Sequence, residues 1–348
     1  MQALYVTATG GDHPLDNIAI GDRPEPQPGP GDVRVRMRSA TLNQHDYWTL
    51  RGVVGYPITL PRILGCDGAG IVDSYGPERP AGTPEVGSEV LLYPLRFCGH
   101  CPGCLGDDPM LCRTFTMLSD GPLEGSFAQY VVLPALHVVP KPGNFSWPEA
   151  AALSVTYLTA YRMLFVKAGL RPGETVLVHA AASGVGSAAT QMAAAAGITV
   201  FASSRSADKL KVAEKLGAAH LIPAGRDAAK AILQLTAGNG VDAVIETVGE
   251  ATWGTSMRVV RQGGKIVVAG ATSGPNPGAD LSRVFWRQLS IMGSTMGSLP
   301  EFLAMLQFMQ RKGLKPLIDS ELPLAQGRAG FEKLAADANI GKIALAIP

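Results

Sequence analysis

The chain has 348 residues, 46% of them apolar and 17% charged, and its 30 lysines and arginines against 29 acidic residues leave a formal charge of +1. That length argues for about two domains, each with room for a core, and the balanced charge excludes a basic field that could hold nucleic acid or an anionic membrane. No apolar run approaches the roughly 18 residues of a spanning helix, and MQALYVTATGGDHP lacks the basic-then-apolar order of a signal peptide, so a soluble, cytoplasmic protein acting on a small molecule is expected.

Prolines are concentrated early, 18 of 26 preceding Ala150, which places a domain boundary near that residue. Before it, Pro24–Pro30 reads as a turn or extended linker. Asp32–Met37 alternates polar and apolar at period 2, and Ser88–Leu92 and Phe127–Leu133 are strand-like, so the first part is expected to be all-β and barrel-like. From Glu174 compact, mostly apolar runs alternate with helical segments. The runs are Thr175–His179, Thr199–Ser203, His220–Pro223, Ala243–Glu246, Lys265–Ala269 and Leu289–Gly293; the helices are Val185–Ala196, Ala207–Leu216, Ala228–Leu235 and Thr252–Arg261. Repeated βα units predict an α/β, doubly wound Rossmann-type parallel sheet. A helix at Pro300–Lys312 and a strand at Lys342–Ile347 follow. The expected division is a substrate domain over 1–154 to which 296–348 returns, a dinucleotide-binding domain over 155–295, and a substrate cleft between them.

Ser183, Gly184, Val185 and Gly186 lie between the first strand and first helix of the α/β part. There a turn aims backbone N–H groups and a helix dipole at a phosphate, and glycine lets the backbone approach it. An acidic residue about 20 positions on, at the end of the second strand, binds the ribose of NAD. Here that stretch is Ser203-Ser204-Arg205-Ser206 with Lys209 beyond it and no carboxylate before Asp208, which favours the 2′-phosphate of NADP(H).

Cys98, Cys101, Cys104 and Cys112 form a C-x2-C-x2-C-x7-C run on a Gly/Pro-turned loop. Four thiolates so spaced suit one structural zinc per chain, a closed site with no position left for substrate. Paired disulfides and an iron–sulfur cluster are the alternatives, the first unfavourable in a reducing compartment, the second because the last spacing is wrong. His100, between two of the cysteines, reads as a loop residue.

Taken together, the Pro-rich β part, the four-cysteine lobe, the nucleotide-binding sheet and the returning tail resemble the medium-chain dehydrogenase/reductase superfamily along the whole chain. Leu64-Gly65-Cys66-Asp67-Gly68-Ala69-Gly70 looks like its G-H-E-G-x-G motif, and Leu158-Thr159-Ala160-Tyr161 and Ser183–Gly186 also match. The resemblance implies a GroES-like substrate domain, nicotinamide and ribose contacts at Thr159, Thr247, Gly249, Gly270, Ala271 and Thr272, and a homodimer paired through Leu289–Gly293. In the family's zinc enzymes a catalytic zinc is held at positions that match Asn43, Cys66 and Val155 here, and only one of these three binds zinc well. A site rebuilt from Cys66, Asp67 and His45 is the alternative.

Without such a metal, the chain resembles the quinone oxidoreductase and enone reductase branch, although many quinone reductases lack the cysteine lobe. Hydride then goes most easily to a quinone or an α,β-unsaturated carbonyl, which spreads the incoming charge. Candidate catalytic residues are Asn43 as an oxyanion donor, His45 as a proton donor with an ordinary pKa near about 6.5, Asp46, Tyr47, and Tyr56, which resembles the substrate-side tyrosine of enoyl reductases. A zinc-dependent alcohol or aldehyde dehydrogenase with an unusual ligand set and a non-catalytic NADPH-binding protein are the rival readings.

Overall fold

Period-2 patterning becomes a strand where one face can be buried. Along β3 (Asp32–Thr41), Val33, Val35 and Met37 are fully buried while Asp32, Arg34 and Arg36 between them are not. In this computed structural model, which describes residues 1–53 and 58–348, the chain forms two units. One comprises Met1–Val155, Ser298–Leu306 and Lys315–Pro348, the other Thr156–Gly297 and Gln307–Leu314.

In the first unit, β1 (Gln2–Val6) pairs antiparallel with β2 (Ile18–Asp22) and with β4 (Arg62–Ile63). A larger sheet runs β10 (Val138–Pro140), β6 (Glu89–Leu92), β5 (Ala69–Tyr75), β3, with β9 (Tyr130–Pro134) also on β3. Leu4, Val33, Val35, Val72, Leu92 and Phe127 share one apolar core. A two-stranded ribbon, β7 (Leu95–Arg96) and β8 (Thr116–Met117), carries the cysteine lobe between its strands. β9 begins at Tyr130 rather than at Phe127, because Phe127 instead donates its N–H to Leu64 and accepts from Leu4.

The second unit is a six-stranded parallel sheet: β11 (Thr175–His179), β12 (Thr199–Ser204), β13 (His220–Pro223), β14 (Val241–Glu246), β15 (Val260–Val268) and β16 (Ser290–Gly293), in the order β13-β12-β11-β14-β15-β16. Helices Gly184–Ala195, Ala207–Lys215, Ala228–Leu235 and Glu250–Val259 make the first crossovers. The last of these stops at Val259, short of the expected Arg261, because Val260 already pairs with Val241 across a bulge. Strand order reverses beside β11, with β12 on one side and β14 on the other, and the carboxyl ends of strands at such a switch point are where open α/β sheets take ligands.

The tail returns to the first unit. β17 (Ile318–Pro323) lies parallel to β18 (Lys342–Ala346), and β18 runs antiparallel to β3 with Ala344 opposite Thr41. Helix Leu299–Lys312 divides: Phe302 packs near Tyr93 in the first unit, whereas Phe308 sits 5.5 Å from Phe165 and 6.4 Å from Tyr161 in the second. Residues 296–297 and 307–314 therefore depart from the simple return of 296–348. Among the described residues no helix is long and apolar enough to cross a membrane.

Candidate functional site

β3 ends at Thr41, and two residues later Asn43, in extended conformation, caps helix Gln44–Leu50. The Asn43 N–H donates to Asp46 Oδ2 at 2.9 Å, and the Asp46 N–H donates back to the Asn43 side chain, so helix start and polar cluster share the same atoms. The Gly65 N–H donates to Asp46 Oδ1 at 3.0 Å. Fully buried Asp67 accepts from the Thr41 N–H at 2.6 Å, from the Thr41 hydroxyl, and from Asn43 Nδ2 at 2.8 Å. Lys342, 2% exposed on β18, donates to Asn43 Oδ1 and to the Leu42 carbonyl at 2.7 Å, and its Nζ lies 3.7 Å from Asp67 Oδ2.

Burial raises the Asp67 carboxyl and lowers the Lys342 ammonium from their ordinary values, and the charge of each partner opposes that change in the other. Burial likewise pushes Asp46 up to about 6 against the opposing charge of His45. Cys66 is fully buried with its Sγ 4.0 Å from Asp46 Oδ2, and burial followed by the neighbouring carboxylates holds its thiol well above the ordinary range. It is a neutral thiol here.

This geometry bears on the candidates Asn43 and Asp46. Both Asn43 N–H groups are committed, to the Thr41 carbonyl at 3.0 Å and to Asp67, so the amide holds the cluster together and has no proton for an oxyanion. Asp46 caps the helix and the Gly65 N–H. Tyr47 packs half-buried on the first unit's core with the Arg51 guanidinium 5.9 Å from its ring centre. Tyr56 lies outside the described residues. Cys66, Asp67 and His45 do not converge: Asp67 faces Lys342, and His45 Nε2 lies 2.9 Å from Asp120 Oδ1. Burial lowers the His45 pKa, but the hydrogen bond and charge of Asp120, with Asp46 behind them, raise it above its ordinary value. Nothing in the local sequence pointed to Asp120, 75 positions away in a turn after β8.

In the lobe, the Sγ atoms of Cys98, Cys101, Cys104 and Cys112 all lie within 4.8 Å of one another. Cys98–Cys104 and Cys98–Cys112 are 3.7 Å apart and Cys101–Cys104 3.6 Å. Zinc bonds of about 2.3 Å in a tetrahedron put sulfurs about 3.8 Å apart, whereas a disulfide needs about 2 Å. All four are free thiols, grouped as one ion needs and too tightly for a cluster. Backbone donors at Cys98 hold Cys112 down to about 6, while burial and the adjoining sulfurs push Cys104 up to about 12, a crowding that a cation relieves. His100 is exposed with Nδ1 on the Cys98 carbonyl, outside the set. Among the described residues no other group of three or more metal-ligating side chains converges.

At the switch point of the second unit, Ser183 caps helix Gly184–Ala195 by accepting from the Gly186 N–H at 3.1 Å. Gly184 and Val185 open the helix with N–H groups that no helix carbonyl can reach. A Cβ on Gly186 would stand 2.1 Å from the Ala180 carbonyl oxygen, so only glycine allows this tight turn. Ser204 ends β12 and accepts from the Ser206 N–H, Arg205 is exposed, and Lys209 is half-buried in the next helix. The loops after β14 and β15 are tied together: Thr272 donates to the Thr247 carbonyl and Ser273 to that of Val248 at 2.7 Å. Gly249, at φ 93°, leaves no room for a Cβ beside Gly274 and Ala271, and Gly270 packs on Thr247. Glu246, fully buried, organises this end by accepting from the N–H groups of Val248 and Gly249 and from Thr252 and Ser256. Thr159 lies on a helical turn with its hydroxyl 3.7 Å from Met296 Sδ. The cradle fits a dinucleotide: close backbone approach, helix N–H groups, and hydroxyls with two cations beyond β12.

Residues 29–143 match the family model of the alcohol dehydrogenase GroES-like domain, and residues 184–311 that of zinc-binding dehydrogenases. The chain is 31% identical to a crotonyl-CoA carboxylase/reductase of Cereibacter sphaeroides, over 85% of this chain and 75% of that protein. It is also 31% identical to a quinone oxidoreductase of Pseudomonas aeruginosa, over 88% and 89%. A crystal structure of an NAD-dependent alcohol dehydrogenase superposes with a TM-score of 0.94 at 39% identity, covering 100% of both chains.

Two predictions follow from these sites. Cys112→Ser is expected to abolish zinc binding at the lobe and to lower the melting temperature, read by atomic absorption and calorimetry; a wild type that carries no zinc, or a variant of unchanged melting temperature, contradicts this. Lys342→Met leaves Asp67 buried without its counter-charge and costs about 3–5 kcal/mol, most of it regained in Asp67→Asn/Lys342→Met. Equal urea midpoints for wild type and the single variant contradict that.

Proposed function

Since the chain belongs to the medium-chain dehydrogenase/reductase superfamily, we propose that it is an NADPH-dependent reductase delivering hydride to a quinone or an α,β-unsaturated carbonyl without a catalytic zinc. One observation carries this reading. At the positions matching the family's catalytic ligand set stand Asn43, committed to internal hydrogen bonds, Cys66, a buried neutral thiol, and Val155, with the Lys342 ammonium beside Asp67. A carbonyl that no Lewis acid polarises accepts hydride most readily when conjugation spreads the charge. The similarity to proteins named for crotonyl-CoA and for quinones supports that acceptor class.

The nicotinamide, when bound, supplies the hydride. Gly184 and Val185 would hold the pyrophosphate, Ser204, Arg205 and Lys209 the 2′-phosphate, and Thr159, Thr247, Gly249, Gly270, Ala271 and Thr272 the nicotinamide half. His45 would give the proton that completes the reduction. One zinc on the four cysteines would brace its lobe.

A second reading, an alcohol dehydrogenase using NAD, is favoured by the 39% identity to the structure of an NAD-dependent alcohol dehydrogenase. We also propose a homodimer. Supporting it, β16 ends the parallel sheet, and Phe285 and Trp286, beside it in sequence, are 67% and 79% exposed.

Turnover of NADPH and NADH against a panel of quinones, enones and simple alcohols tests the reading. NADPH with a conjugated acceptor is expected to be preferred, and Arg205→Ala to raise the KM for NADPH about 10-fold, the loss of one charge-assisted hydrogen bond, while leaving NADH nearly unchanged. Oxidation of simple alcohols with NAD in place of these reactions would sink it. Sedimentation at micromolar concentration is expected to give a dimer for the wild type and a monomer for Trp286→Asp; a monomeric wild type contradicts the pairing.

A further inference from the structure

We propose that Asp120 is a positioning residue for His45, and that a buried arginine, Arg62, holds the turn presenting it, so that the pair delivers the reaction's proton. This deepens the reading of His45 as the proton donor and rests on it. His45 Nε2 and Asp120 Oδ1 are 2.9 Å apart, with side-chain exposures of 18% and 11%. They come from separate elements, helix Gln44–Leu50 and the turn after β8, so their meeting is a product of the fold and not of local sequence.

The turn is more tightly built than a surface connection requires. Arg62 on β4, 5% exposed, donates Nη2 to the Gly121 carbonyl at 2.9 Å and Nη1 to the Leu123 carbonyl at 3.1 Å. Glu124 accepts from the Ile63 N–H at 2.8 Å, and the Asp120 N–H donates to the Met117 carbonyl at 2.9 Å. Just before Asp120, fully buried Ser119 is held at φ 73°, a left-handed conformation unusual for a residue with a Cβ. A buried guanidinium spent on two main-chain carbonyls, next to a left-handed serine, fixes where the Asp120 carboxylate points.

Other charges near His45 have different employment. Asp46, on the same helix, caps it; Asp67 and Lys342 are bound to each other; the Cys66 thiol is neutral. Asp120 is the carboxylate that hydrogen-bonds the ring. A carboxylate on one imidazole nitrogen sets the tautomer, orients the ring and favours its charged form. With Nε2 engaged by Asp120, Nδ1 carries the proton that is delivered. The reduced cofactor, when bound, would supply hydride from its C–H bond for a new C–H bond on the acceptor, whose oxygen would take up the displaced electron pair. The His45 Nδ1–H bond then breaks to protonate the reduced acceptor. His45 is left neutral, the cofactor leaves oxidised, solvent restores the proton to His45, and Asp120 stays a carboxylate.

The test is the titration of the His45 Cε1–H proton by NMR in the full chain, assigned by its loss in His45→Gln. The wild-type midpoint is expected above the ordinary imidazole value, Asp120→Asn is expected to lower it by about one pH unit, and Asp120→Glu to keep most of the shift. Because the acid form acts, kcat for the best acceptor of the panel should fall on the alkaline side, and Asp120→Asn should bring that fall to lower pH with the KM for NADPH unchanged. Should Asp120→Asn fail to fold, Arg62→Met, which frees the turn while keeping both His45 and Asp120 in the chain, is expected to lower the midpoint in the same sense. A folded Asp120→Asn with unmoved titration and unmoved kcat profile overturns the pairing and leaves the proposed function standing. A shifted titration without turnover of any quinone or enone overturns that function and His45's donor role with it.

Discussion

One buried ammonium organises the first unit's chemistry. Lys342 reaches from the last strand to the end of β3, where it meets the Leu42 carbonyl, the Asn43 amide and Asp67, 300 positions away at the farthest. Without that cation, a carboxylate with no exposed surface would carry the full cost of desolvation. With it, the Asp67 carboxylate has donors around it, Asn43 is fixed in one orientation, and the capping box of the following helix is set. The helix in turn places His45 toward Asp120. The tail therefore does more than close a sheet: it supplies the charge around which this polar segment is arranged.

The same pair decides what chemistry remains to this segment. Asp67 and Asn43 are occupied by internal partners, and Cys66 is an unionised thiol, so the polar groups matching a metal's ligand positions are already satisfied by the protein. Metal-ligating side chains gather instead at the four-cysteine lobe, where four sulfurs within 4.8 Å of one another could enclose one ion and would leave it no open coordination position. In the account proposed here, structure is the lobe's task, hydride transfer the cofactor's, and proton delivery that of the His45–Asp120 pair.

The parallel sheet was the most readable part of the chain. Buried parallel strands are short unbroken apolar runs, and Thr175–His179, His220–Pro223 and helix Ala228–Leu235 stand where the pattern places them. The boundary at Val260 was not readable, because an apolar residue after an amphipathic helix looks like one more turn until its partner strand is known. The cysteine lobe was readable because ligand spacing is local. Asn43 and Asp46 were singled out by position, but their commitment to a cap and to Asp67 depends on partners far along the chain. Asp120, Arg62 and Lys342 carried no signal at all: each acts through a contact whose sequence separation exceeds any window in which a pattern could be seen.

The most direct measurement is the number of zinc ions per chain, by native mass spectrometry on protein purified without added metal. The account predicts one, lost when the lobe cysteines are replaced. Two per chain, one of them surviving that replacement, would mean that Cys66, Asp67 or His45 rearrange around a second ion, and would contradict the assignment of proton delivery to His45 and Asp120.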